Sequence, residues 1–240
     1  MKDKKKRIEI IDALRGIAVV LMVIHHFLYN CVHFLNGPKW LFTNPVFDVL
    51  HYIFAGLFIL LSGVSSRFSR GNIKRGLIAM GLAIVITAVT YYMDMPIWFG
   101  VLHLLAFSMI FFGITGKFWD MINKKAAAVI YITAIIAAAI GTGYVDIKVE
   151  SQAMRNIVSV LGWPQPGFRS FDYFPILPWI FVFLLGTWAG QYIVERKLPS
   201  RFYEMSIPIF PAVGRKALII YILHQPVLYG LVMVILYFIG

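Results

Sequence analysis

"DALRGIAVVLMVIHHFLYN", residues 12–30, decides how this chain is read. Its middle is apolar enough for a membrane span, yet Asp12 and Arg15 stand at one end and His25 and His26 near the other. Ionisable groups are expensive in lipid and normally mark a pathway or a site. The whole chain fits that setting: 240 residues, 60% hydrophobic and 16% aromatic, with a mean hydropathy of +0.79. Soluble domains sit near half apolar, so an all-α integral membrane protein is expected.

Working outward, apolar runs long enough to cross a bilayer as helices fall at about 10–30, 47–66, 74–93, 98–115, 126–144, 173–194 and 214–239. They predict a bundle of about seven transmembrane helices in a single domain, residues 1–240, with neither an internal repeat nor a low-complexity tract. One loop is long, about 145–172, and ends in the turn-rich "LGWPQPGFRSFDYFP". The basic start "MKDKKKR" leads straight into a full-length span, which reads as a retained first helix rather than a cleaved signal.

The formal charge of +11 invites a nucleic-acid reading, but the basic residues sit at the ends of apolar runs and no nucleic-acid-binding module is present. They act instead as topology signals. With the N-terminus inside, 18 of the 22 lysines and arginines fall on the inner side, among them Lys2, Lys4, Lys5, Lys6, Arg15, Arg67, Arg70, Lys74 and Arg75. The chain is therefore expected N-inside and C-outside. Cys31 is the single cysteine, which excludes an intrachain disulfide.

Depth follows from the ~1.5 Å rise per residue. His26 is expected ~24 Å from the inner edge, and His103 and His51 ~9 Å or so below the outer one. Asp48 and Asp172 start the second and sixth spans. Three histidines and two carboxylates thus form one expected outer layer, with His224 apart in the inner half of the seventh span. Arg15 and His26 are eleven residues apart, close to three turns, and share a face with Asp12, Met22 and His33. His25 points about 100° away. Each feature has a structural alternative. His25 and His33 read as interhelical hydrogen bonders. Asp48 and Asp172 read equally well as helix N-caps. Gly56, Gly63, Gly186 and Gly190 read as packing contacts.

Five stretches occur together: "IDALRGIAVVLMVIHHFLYN", "IFAGLFILLSGVSSRFSR", "FGVLHLL", "FDYFPILPWIFVFLLGTWAG" and "LIIYILHQPVL". In this order the chain resembles the bacterial membrane family related to the catalytic domain of heparan-alpha-glucosaminide N-acetyltransferase. "FGVLH" together with "DYFPILPW" is considerably more specific than the opening "DALRG", and the resemblance covers nearly the whole chain. It implies transfer of an acyl group, acetyl in the lysosomal enzyme, from cytoplasmic acyl-coenzyme A to an extracytoplasmic sugar or glycan amine or hydroxyl. Motif by motif it marks His26, His103, Asp172 and His224. Asn30 stands where many bacterial relatives carry Asp.

Acyl transfer needs a base, donors for the oxyanion and cations for the phosphates of coenzyme A. The expected catalytic residues are accordingly His26 as base with His103 and Asp172 assisting. Arg15, Arg67, Arg70, Arg75 and His224 are assigned to the donor acetyl-CoA. His51, Asp48, Asn30, Tyr173 and Trp179 are assigned to the acceptor or oxyanion, and His51 stays open as the base. No metal is expected. The expected partners are the bilayer, acyl-CoA and an extracytoplasmic carbohydrate, with a homodimer allowed. The expected location is the bacterial inner membrane, in the cell envelope. Two alternatives remain: a transporter or flippase using the same cavity, and a redox protein holding haem between His26 and His103.

Overall fold

The structure is a computed structural model that describes residues 7–239, so Lys2, Lys4, Lys5 and Lys6 of the basic start lie outside the described residues. Eleven helices follow one another, and no strand occurs among the described residues. They are α1 (Glu9–Phe34), α2 (Trp40–Thr43), α3 (Pro45–Ser66), α4 (Asn72–Tyr92), α5 (Val101–Asp120), α6 (Lys124–Tyr144), α7 (Gln152–Leu161), α8 (Ile176–Val194), α9 (Ser200–Glu204), α10 (Phe210–Arg215) and α11 (Ala217–Ile239). Seven of them, α1, α3, α4, α5, α6, α8 and α11, are long and apolar enough to cross a membrane. The chain is an all-α, multi-pass membrane protein.

Three spans start later than the sequence-based ones, each for a local reason, while the first and fourth run further, to Phe34 and Asp120. The fourth begins at Val101 rather than at 98, because Phe99 forms an isolated parallel bridge with Tyr173. That bridge also keeps 173–175 out of the sixth span, which starts at Ile176 after Pro175. The seventh starts at Ala217, since residues 210–215 form the separate α10.

The chain divides into two compact units, and the division falls within α3. Unit 1 comprises residues 1–58 and 198–240; unit 2 comprises 59–197. In unit 1, α1 packs on α10 and α11. The α1–α10 crossing is so close that a Cβ on Gly16 would strike the carbonyl of Phe210, and one on Gly214 the carbonyl of Asp12. In unit 2, α4 packs on α5 and α6 on α8. The start of unit 2 crosses α8 just as closely: Gly63 lies against the carbonyl of Phe183, and Gly186 against that of Leu60. Such small-residue contacts let membrane helices gain van der Waals energy where lipid supplies no hydrophobic drive.

Candidate functional site

In unit 1 the α1–α10 contact sets a level from which depth can be counted. Gly16 and Gly214 meet there, and α11, which follows α10 after Lys216, packs on α1 as well. His26 lies ten residues beyond Gly16, about 15 Å along α1, and His224 lies ten beyond Gly214, past the turn at Lys216 that separates α10 from α11. The two rings should therefore meet, and their centroids are 4.9 Å apart. This corrects the sequence-based placement of His224 apart from His26. That placement started the seventh span from the same edge as the first, whereas α10 fills the first turns beside α1.

Two more histidines join them. His25 packs edge-on to His26 at 5.7 Å and lies against His51 of α3 at 4.5 Å. The continuous group His51–His25–His26–His224 comes from three helices. His25 is thus a member of the group, since its 100° offset from His26 aims it at α3 instead of away from everything. Asp48 sits three residues before His51 and acts electrostatically on both His51 and His25. It is not the N-cap of α3: that role belongs to Asn44, whose Oδ1 accepts from the Val46 amide at 3.0 Å.

Hydrogen bonds assign the tautomers. Nδ1 of His26 is 3.0 Å from the carbonyl of Met22, and Nδ1 of His224 is 2.6 Å from that of Tyr221. A carbonyl only accepts, so both Nδ1 atoms carry hydrogen and donate. The lone pair of each neutral ring is then on Nε2. Nε2 of His224 is buried and has no partner among the described residues, in a side chain belonging to a residue only 9% exposed. One turn beyond His26, Asn30 is buried and donates from Nδ2 to Gln225 Oε1 at 3.3 Å. Pro226 follows and withholds the amide that would bond to the carbonyl of Ile222. Near the level of Gly16, Arg15 pairs with Asp12 at 3.2 Å.

Unit 2 holds the other conspicuous histidine. The Gly100 amide donates to His103 Nδ1 at 3.3 Å, so that nitrogen carries the lone pair. Nε2–H then donates to Thr87 Oγ1 at 3.1 Å, and the Thr87 hydroxyl donates on to the Ile97 carbonyl at 2.5 Å. Both ring nitrogens are engaged, and His103 is buried. It fastens the start of α5 to α4. Having no nitrogen left for iron, it does not supply the second axial ligand of the haem alternative. Asp172 Oδ2 accepts from the Val101 amide at 3.1 Å, so Asp172 caps α5, the fourth span, and not the sixth span that it precedes.

Around this cap the two most specific motifs come together. The Phe174 amide donates to the Phe99 carbonyl at 2.9 Å, and Ser170 Oγ accepts from the Trp98 amide at 3.1 Å while donating to the Asp172 carbonyl at 2.6 Å. Tyr173 donates its hydroxyl to the Ser159 carbonyl at 2.5 Å, and burial pushes its phenol up to about 12. Trp179 packs on Phe174 at 5.2 Å.

At the other end of α5, Arg67 bonds the Thr187 carbonyl at 2.9 Å, pairs with Asp120 at 2.6 Å and lies over the Phe112 ring. Asp120 also accepts from Gln191 Nε2 at 2.7 Å, and Lys124 pairs with Glu195 nearby. Arg70 and Arg75 are exposed. Sequence reasoning missed Asp120, Thr87 and Gln225. Only Gln225 left a signal, beside His224 and a helix-interrupting proline. Among the described residues no group of three or more His, Cys, Asp or Glu could hold a metal ion.

A family model described as heparan-alpha-glucosaminide N-acetyltransferase, catalytic, matches residues 7–226. No curated protein and no solved structure matches the chain.

Proposed function

We propose a function from one premise: the chain belongs to the heparan-alpha-glucosaminide N-acetyltransferase catalytic family, a membrane acyltransferase-like family. The reading is an acyltransferase of the bacterial inner membrane. It takes an acyl group, acetyl in the simplest case, from acyl-coenzyme A on the cytoplasmic side. The acceptor is an amine or hydroxyl of an extracytoplasmic sugar or glycan. The asymmetry of lysine and arginine supports an inside N-terminus.

The observation that carries the reading is the His26–His224 pair, whose Nδ1 hydrogens are held by backbone carbonyls so that both lone pairs lie on Nε2. An imidazole in that state is a ready general base. As the acceptor's oxygen or nitrogen attacks the thioester carbonyl, His26 Nε2 takes its proton. The tetrahedral adduct then collapses, the carbon–sulfur bond breaks, and the departing thiolate of coenzyme A recovers that proton from the imidazolium. His51, His25 and Asp48 adjoin the pair and suit acceptor binding, as do Asn30 and Gln225. Arg15, Arg70 and Arg75 suit the phosphates of the donor. Arg67 is already held by Asp120 and the Thr187 carbonyl, and serves as scaffold in this reading.

The test is direct. Vesicles carrying the protein should transfer label from acetyl-coenzyme A to envelope glycans, and coenzyme A should raise the melting temperature of the purified protein. A melting temperature unmoved by saturating coenzyme A would remove the donor. Glycan profiles identical with and without the gene would remove the acceptor class.

A further inference from the structure

Helix α7 lies outside the seven spans and plays no part in the chemistry above. At 100° per residue its ten residues divide into three sectors. One sector is packed on unit 2. Val158 and Ser159 are buried, the Ser159 carbonyl accepts from Tyr173, and Ser159 Oγ accepts from the Gln165 amide at 3.1 Å. Arg155 belongs to this side and donates to the Val149 carbonyl at 2.8 Å. A second sector is polar and exposed: Gln152 and Asn156, which bond each other at 3.3 Å. The third is apolar and equally exposed: Met154, Ile157 and Leu161, at 47%, 53% and 37%.

An apolar stripe and a polar stripe on the two flanks of a firmly seated helix are what an element lying at a water–lipid boundary needs. Its surroundings identify that boundary. Trp163, two residues beyond α7, donates from its indole to the Gly141 carbonyl in the last turn of α6. At the helix ends and in the loops around it, Tyr91, Tyr92, Trp98, Tyr144 and Phe171 are exposed. Tyrosine and tryptophan concentrate where membrane spans meet water. The loop that carries α7 is thus fastened to the ends of the spans around α4, α5 and α6.

We propose that α7 is an interfacial helix, with Met154, Ile157 and Leu161 immersed in the headgroup–acyl boundary of the bilayer and Gln152 and Asn156 in water. The bilayer then holds the loop that carries Asp172 and Tyr173, from a flank of α7 beside its protein contacts.

Single cysteines introduced into a Cys31→Ser background and spin-labelled in lipid nanodiscs test this. Labels from Met154→Cys, Ile157→Cys and Leu161→Cys should show an oxygen-to-nickel accessibility ratio about threefold or more above that of Gln152→Cys and Asn156→Cys. Equal ratios would mean a helix surrounded by water and would overturn the proposal. Labels shielded from both relaxants would mean protein cover and would overturn it too, pointing to a second copy if dilution into excess lipid releases them. Unmodified protein gives a check free of folding artefacts. Met154 in nanodiscs should resist oxidation by hydroxyl radicals generated in the aqueous phase, and oxidation as fast as in the denatured chain would likewise defeat the proposal.

Discussion

His26 and His103 both belong to short motifs, and both stand on apolar helices. Their hydrogen bonds give them opposite characters. In unit 2 His103 has a donor on one nitrogen and an acceptor on the other, closing a chain from the Gly100 amide through Thr87 to the Ile97 carbonyl. In unit 1 the rings of His26 and His224, 4.9 Å apart, are each held through Nδ1, which leaves the lone pair of each on Nε2. A fully engaged imidazole stabilises a fold; one tethered at Nδ1 alone is able to accept a proton. Residue type and depth therefore say less about role than the count of occupied nitrogens does.

The two histidines should differ most in their effect on the rate. His26→Ala is expected to lower acyl transfer ~10²-fold or more, the usual range for loss of a general base. Coenzyme A should still raise the melting temperature of this variant, because His26 is assigned no contact with the donor's phosphates. His224→Ala should give a smaller loss, about tenfold, if its role is to share the proton and orient His26. Full activity in His26→Ala, measured per folded molecule, would end the base assignment. A larger loss in His224→Ala than in His26→Ala would exchange their roles.

For His103 the expected loss is in stability. His103→Ala leaves the buried Gly100 amide and the Thr87 hydroxyl each short of a partner, at about 1–3 kcal/mol per unsatisfied group. Chemical unfolding in detergent should show a drop of about 2 kcal/mol or more, while turnover per folded molecule stays near that of the wild type. Thr87→Val in the same background should add much less than it costs alone, since both residues serve one chain of bonds. If the two losses simply add, the chain described here does not act as a unit. A fall in turnover with unchanged stability would restore His103 to the chemistry.

The spans were legible because hydrophobic length is a local property: all seven long helices overlap the expected ones, and three of their starts moved later where a tertiary contact or a separate short helix intervened. The Phe99–Tyr173 bridge is such a contact, joining residues 74 positions apart, and no periodicity announces it. The site was legible in part. Residue costs in lipid singled out His26, but its partner depended on where α11 begins relative to α1, and the tight Gly16–Gly214 crossing decides that. Arg67 shows the same limit from the other side. Its charge is obvious in the sequence, yet its engagement by Asp120 and Thr187 requires helices far apart in the chain to meet. Tautomers are less legible still, because they depend on single carbonyls.

The smallest effect sharpens the structural side of the comparison, at the loop that meets the start of α5. Tyr173 donates its hydroxyl to the Ser159 carbonyl, and burial holds the phenol at about 12, above its ordinary 10.0. At neutral pH Tyr173→Phe should cost about 1 kcal/mol, the net worth of one such hydrogen bond. Alkali adds a signature of its own. Below pH 10 the phenol is protonated in both the folded and the unfolded chain, so its full contribution is present. Between pH 10 and 12 the unfolded chain ionises while the fold still holds the proton, and the contribution falls as pH rises. Wild-type protein should therefore lose stability over this window more steeply than Tyr173→Phe, with the gap in melting temperature closing from pH 9 to pH 11.5, a range of ~2.5 units chosen to bracket that window. A gap that stays constant would show that the hydroxyl is solvated in the folded protein and that the loop is held by other contacts.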